Sequence, residues 1–198
     1  MKDHNHVKKD NESMDNRIKK ELLSLVKIFV ICLVSVYLIT NFIAKPIRIE
    51  GESMYPTLQD EELGLTNVFA AKFQKLKRFD VVIVNIPDRD EYWVKRIIGM
   101  PGDTVAAKDD QVLVNGKPIE EPYLNKKYVK GMRNNLGMFT EDFQPVKLGK
   151  GEFFLMGDNR PRSVDSRYYG PFKKDQIIGR SVTILYPFDK MKVVKNDF

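Results

Sequence analysis

Beyond residue 44 the chain contains no histidine and no cysteine: His4 and His6 lie near the N-terminus, and the single cysteine is Cys32. That composition removes cysteine nucleophiles, zinc sites of the usual ligand types and any Ser-His-Asp triad from residues 45–198. A serine can still attack a carbonyl there if another group takes its proton, and a neutral lysine is such a group. Neutrality requires moving the lysine well below its ordinary pKa of about 10.4, at roughly 1.4 kcal/mol per unit; burial among apolar groups does this by denying the ammonium its hydration. Lys95 meets that demand: it lies in Tyr92-Trp93-Val94-Lys95-Arg96-Ile97-Ile98, and on a strand Trp93 and Ile97 share its face. Ser53 stands at what reads as a strand end, just before Met54-Tyr55-Pro56. Taken alone, Ser53 is equally a turn serine and Lys95 a solvated strand lysine.

Both residues need elements to position them. Past the first 44 residues the pattern is that of a mainly β protein, with short apolar runs at 46–50, 63–69, 79–86, 92–99, 111–114, 152–156 and 177–186 separated by Gly, Pro, Asp and Asn. The runs 81–84 and 94–98 are rich in β-branched residues, which suit packed, pleated surfaces. Asn115-Gly116 predicts a type I′ hairpin, and Pro101-Gly102 suits the centre of a type II turn. Apolar residues at Val68, Phe69, Phe73 and Leu76 suggest a short helix. Residues 107–150 read as an insertion into the core, either a small β subdomain or a long loop. From 117 onward, Lys126, Lys127, Lys130 and Arg133 mix with aromatic residues without clear periodicity and read as a charged, solvated face.

Upstream, residues 28–44 form a run of 17 without a charge, and reading back to Leu22 extends it to 23. About 20 apolar residues cross a bilayer, so 21–44 is predicted as one transmembrane helix, with Lys27 near its end able to snorkel. The run is too long for a secretory h-region, and Lys45-Pro46-Ile47-Arg48 offers no small-x-small cleavage site. Lys8, Lys9, Arg17, Lys19, Lys20 and Lys27 precede the span, against Lys45 and Arg48 after it. The excess places the N-terminus in the cytoplasm and residues 45–198 outside, facing an oxidising compartment without any disulfide. Residues 1–20, polar and of mixed charge, read as a disordered cytoplasmic tail. The net charge of +6 is spread over both sides with no dense basic stripe, which argues against nucleic acid as a partner.

Four segments then join in one reading: residues 51–58 (Gly-Glu-Ser-Met-Tyr-Pro-Thr-Leu), 78–82 (Arg-Phe-Asp-Val-Val), 95–103 (Lys-Arg-Ile-Ile-Gly-Met-Pro-Gly-Asp), and Gly157-Asp158-Asn159-Arg160 followed by Ser163-Val164-Asp165-Ser166-Arg167. In this order behind an N-terminal anchor they resemble the type I signal peptidases, Ser/Lys enzymes that cut leader sequences from exported proteins, and the short 117–150 region is similar to their Gram-positive form. The resemblance implies a signal-peptidase-type β-sheet core, Ser53 as nucleophile and Lys95 as general base, with no cofactor or metal. It implies that Ser163 hydrogen-bonds and orients the lysine, that Asp165 and Arg167 brace the site as a charge-assisted pair, and that Gly157, Asp158 and Asn159 line it. The partners implied are preproteins with small residues before the cleavage site, and the lipid bilayer. One departure stands out: many members carry a serine two residues before the nucleophile to help hold the oxyanion, and here that position is Gly51, so the oxyanion hole relies on the Ser53 backbone N–H and a further donor or a water. A catalytically silent relative, acting as an assembly factor or chaperone, would be expected to lack Ser53 or Lys95. A self-cleaving repressor would carry a DNA-binding region instead of a span. Oligomeric state has no signature in the sequence.

Overall fold

The computed structural model describes the backbone of residues 3–86, 89 and 91–194, with side chains from Arg17 onward. The chain divides into two units, residues 1–41 and 42–198. The first is helix α1 (Asp3–Leu38), which passes into a π-helical turn at Ile39–Ile43. The helical stretch Arg17–Ile43 contains an 18-residue window with a mean hydropathy of 2.7 and is long and apolar enough to cross a membrane. The helix already begins at Asp3, where composition pointed to a disordered tail; residues 1–20 contain neither proline nor glycine to end a helix. The histidines His4 and His6 lie outside the residues whose side chains are described.

The second unit is mainly antiparallel β. Its elements in order are β1 (Ala44–Arg48), β2 (Leu63–Asn67), α2 (Val68–Phe73), β3 (Val81–Ile86), β4 (Glu91–Gly99), β5 (Thr104–Lys108), β6 (Gln111–Val114) and β7 (Lys117–Pro118). They continue as α3 (Lys126–Leu136), β8 (Phe143–Lys147), β9 (Glu152–Met156), α4 (Ser166–Tyr169), β10 (Phe172–Lys173), β11 (Ile177–Tyr186) and β12 (Lys192–Val193). The main sheet runs β1-β2-β11-β3-β4-β9-β10, with β12 added along β11; a second sheet runs β7-β6-β5-β8. The seven predicted apolar runs all become strands, and the suggested helix forms as α2, started by Asn67, whose side chain accepts from Ala70 N at 2.7 Å.

The register of the β3–β4 pair sets Lys95 opposite Val82 and Trp93 opposite Val84. Val82, Val84, Ile97, Leu155, Phe172 and Ile177 form one buried cluster, with Trp93 packed against it. The apolar seat of Lys95 is therefore made by the centre of the sheet. Burying side chains of this size contributes about 1.5–3 kcal/mol each.

The insertion is a subdomain of sheet and helix. Asn115 and Gly116 take positive φ (53° and 75°) in the predicted hairpin turn between β6 and β7, and Gly102 (90°) closes the turn between β4 and β5. Val105, Val112 and Leu148 pack with Ile98, Phe154 and Met156 of the main sheet in a single cluster, so the small sheet is seated on the core of the large one. Helix α3 occupies the stretch read as an aperiodic charged face.

Candidate active site

Ser53 sits in the loop between β1 and β2, which two apolar anchors and a set of backbone bonds hold in shape. Met54 and Leu58 are 1% and 0% exposed. Ile49 N donates to Glu62 O at 2.8 Å, Glu61 N to Ile49 O at 2.9 Å, and Gly51 N to the Asp60 carboxylate at 2.8 Å. The loop brings the Ser53 hydroxyl to Lys95, whose Nζ lies 2.8 Å from Ser53 Oγ. Lys95 is 4% exposed, with Nζ 5.3 Å from the centre of the Trp93 ring. Burial lowers its pKa from 10.5 to about 8; Asp165 and Asp158 oppose that shift, and Arg167 adds to it.

Behind the serine runs the turn that follows β9. Asn159 N donates to Ser53 O at 3.0 Å, and its side-chain amide to Glu52 O at 2.9 Å. Gly157 lies between the Ser53 carbonyl and the Ser163 hydroxyl so closely that a Cβ would run into both, which is why this position is glycine. Among the described residues no backbone carbonyl accepts from the Ser53 backbone N–H.

The residues expected to brace the site are all brought together, though with partners of their own. Arg167 grips Asp165 with two bonds (Nε to Oδ1 at 2.8 Å, Nη2 to Oδ2 at 3.0 Å) and also donates to the carbonyls of Arg160 and Ser163. Burial pushes the Asp165 carboxyl up, but Arg167, Gly157 N and Ser163 together hold it below the usual carboxylate range. Ser163 Oγ donates to Asp165 Oδ2 at 2.7 Å, whereas the partner of Lys95 is Ser53; the direct Ser163–Lys95 bond that the resemblance implies is not formed here. The reason is local, since Asp165 lies two residues away and offers a charged acceptor. Asp158 is turned away from the dyad into a buried pair with Arg96 (2.8 and 2.7 Å) and accepts from Thr57 Oγ1 at 2.5 Å.

Several participants were not singled out in the sequence. Arg96, the residue after Lys95 and 1% exposed, points to the other face of β4; an arginine inside an apolar strand was its signal. Arg160 is equally buried and donates to Glu121, to Tyr123 Oη at 2.9 Å and to Thr140 Oγ1 at 3.1 Å, all from the insertion. Tyr128 Oη donates to Asn159 Oδ1 at 3.0 Å. These contacts are long-range, so sequence proximity could not reveal them.

A groove of about 530 Å³ is lined by residues 45–48 and Glu50 on one side, residues 91–93 on the other, and Ile83 and Ile178; Trp93, whose ring neighbours Lys95 Nζ, is its link to the dyad. The free edge of β1 borders it. Residues 91–93 of β4, which among the described residues pair with β3 alone, border it opposite.

A mainly β unit with a serine hydroxyl on a buried lysine has the parts of a serine hydrolase. The comparisons agree: the signal peptidase family, peptidase S26, matches residues 22–186, and the chain belongs to it, which makes it a hydrolase of the serine endopeptidase type. Signal peptidase I S of Bacillus subtilis (strain 168) is 43% identical over 175 residues, covering 88% of this chain and 94% of that one. Signal peptidase IB of Staphylococcus aureus (strain Mu50) is 36% identical over 182 residues, covering 88% and 95%. A solved signal peptidase I from Enterococcus faecalis V583 aligns at 36% identity and TM-score 0.47, over 54% of this chain and 96% of that one.

Proposed function

We propose that the protein is a membrane-anchored endopeptidase that removes N-terminal signal peptides from exported preproteins, with Ser53 as nucleophile and Lys95 as general base. The observation that carries this reading is the 2.8 Å contact between Lys95 Nζ and Ser53 Oγ in a setting that lowers the lysine pKa to about 8. Neutral Lys95 accepts the Ser53 proton across that contact as Oγ attacks the scissile carbonyl carbon. The developing oxyanion is held by the Ser53 backbone N–H, a type of donor worth about 3 kcal/mol in the transition state. The ammonium of Lys95 returns the proton to the leaving amine, and an acyl ester remains on Oγ. Lys95 then deprotonates the water that hydrolyses the ester, and Ser53 is regenerated.

The groove between β1 and β4 accepts the substrate as an extended strand, with main-chain bonds to either free edge. Ser53 lies nine positions after Ala44, at most about 30 Å of chain. The apolar helix 17–43 spans the membrane with its N-terminus in the cytoplasm, and that short tether keeps the nucleophile near the outer surface, where an embedded leader presents its small residues. A silent chaperone of the same ancestry has no need of Ser53, Lys95 or the contact between them.

The test incubates the full-length protein with a labelled preprotein and sequences the product. One new N-terminus directly after a small residue, absent with Ser53→Ala, is the expected result. Undiminished cleavage by Ser53→Ala would contradict the assignment.

A further inference from the structure

The insertion carries charge on its surface, yet its helix reaches the nucleophile loop. At its start Asn125 caps α3, its side chain accepting from Tyr128 N at 3.0 Å. At its end Arg133 and the backbone N–H groups of Phe139 and Thr140 all donate to Asp110. Fixed at both ends, the helix presents Tyr128 from its first turn. The Tyr128 ring stands edge-on to Tyr55, two residues after Ser53, at a centroid distance of 5.1 Å. Its hydroxyl donates to Oδ1 of Asn159, a residue 1% exposed whose side-chain amide and backbone N–H already hold the carbonyls of Glu52 and Ser53.

The phenol has a specific task there. The terminal torsion of an asparagine is soft and its amide has an acceptor edge and a donor edge. The bond from Tyr128 fixes Oδ1 on the tyrosine side and thereby keeps the NH2 group on Glu52 O; the opposite orientation would set two acceptors against each other. We infer that Tyr128 is a positioning residue for Ser53, acting through Asn159, so that the inserted helix helps hold the nucleophile in line with Lys95. The inference rests on Ser53 being the nucleophile.

The experiment measures cleavage of a labelled preprotein by the full-length enzyme. Tyr128→Phe keeps the ring against Tyr55 and removes only the hydroxyl. It lowers kcat about threefold to tenfold, the range a single net hydrogen bond commands, with KM unchanged and Tm lowered only by the roughly 2–4 °C per kcal/mol that the lost bond entails. In an Asn159→Ser background the same change has no further effect, because its route has already been removed. Full kcat in Tyr128→Phe, a loss that multiplies with that of Asn159→Ser, or a loss accounted for by unfolding of the variant at the assay temperature would each overturn the inference. Ser53→Ala in the same assay separates the two readings. If it cleaves at the wild-type rate, the nucleophile assignment fails; if it is inactive while Tyr128→Phe is unimpaired, the positioning role alone fails.

Discussion

Lys95 is held between two opposed influences. Removal from water favours the neutral amine, and the carboxylates of Asp165 and Asp158 favour the ammonium, with Arg167 on the side of neutrality. The first influence was legible in the sequence, because Trp93 and Ile97, which share the face of Lys95 on β4, are apolar. The second was not, because Asp165 lies 70 positions from Lys95 along the chain and meets it only in the fold, and the direction of the Ser163 hydroxyl is decided by which acceptor lies nearest. A prediction follows at this scale for Asp165→Asn. The Arg167 guanidinium, 4% exposed, loses its charge partner, which destabilises the protein by about 3–5 kcal/mol in a denaturant titration. In the folded fraction a carboxylate that raises the Lys95 pKa is gone while Arg167 stays, so the acid limb of the pH–rate profile moves to lower pH. Movement to higher pH would show that Asp165 does not act on Lys95 through its charge.

The strands were legible because alternation and β-branched runs report directly which face is buried, and the two Gly turns because positive φ is tolerated by few residues. Helix α3 was not. Its apolar positions Tyr128, Met132 and Leu136 do recur every four residues, but Gly131 and four basic residues dilute the pattern, and the helix is stabilised at its ends, by Asn125 and by the Arg133–Asp110 pair. β5 escaped because Ala106 and Ala107 weaken its strand signal. The turn after β9 couples these elements to the chemistry, and Gly157→Ala tests it. The added methyl displaces the Ser53 carbonyl or the Ser163 hydroxyl, and a nucleophile displaced by about 1 Å loses on the order of a hundredfold in rate. Circular dichroism should remain that of the wild type while kcat falls; an alanine variant with unchanged kcat would mean that the turn yields without moving the serine.

As a whole, the molecule joins one apolar helix to one β unit that contains all the proposed chemistry. That division was legible from hydropathy and from where histidine and cysteine stop; the family was legible from four motifs in order. What links those motifs to one another and to the insertion, the bonds Asn159–Ser53, Arg96–Asp158 and Arg160–Glu121, joins residues 39 to 106 positions apart and exists only once the chain has folded. The central claim is that this fold keeps Lys95 neutral enough to deprotonate Ser53. The most direct measurement is the pH dependence of kcat/KM for preprotein cleavage by the full-length enzyme. Activity rises as Lys95 loses its proton, so the account predicts an acid limb with a midpoint near 8, well below the ordinary lysine value of 10.5. A midpoint near 10.5, a profile without an acid limb, or an unchanged profile in Lys95→Ala would contradict it.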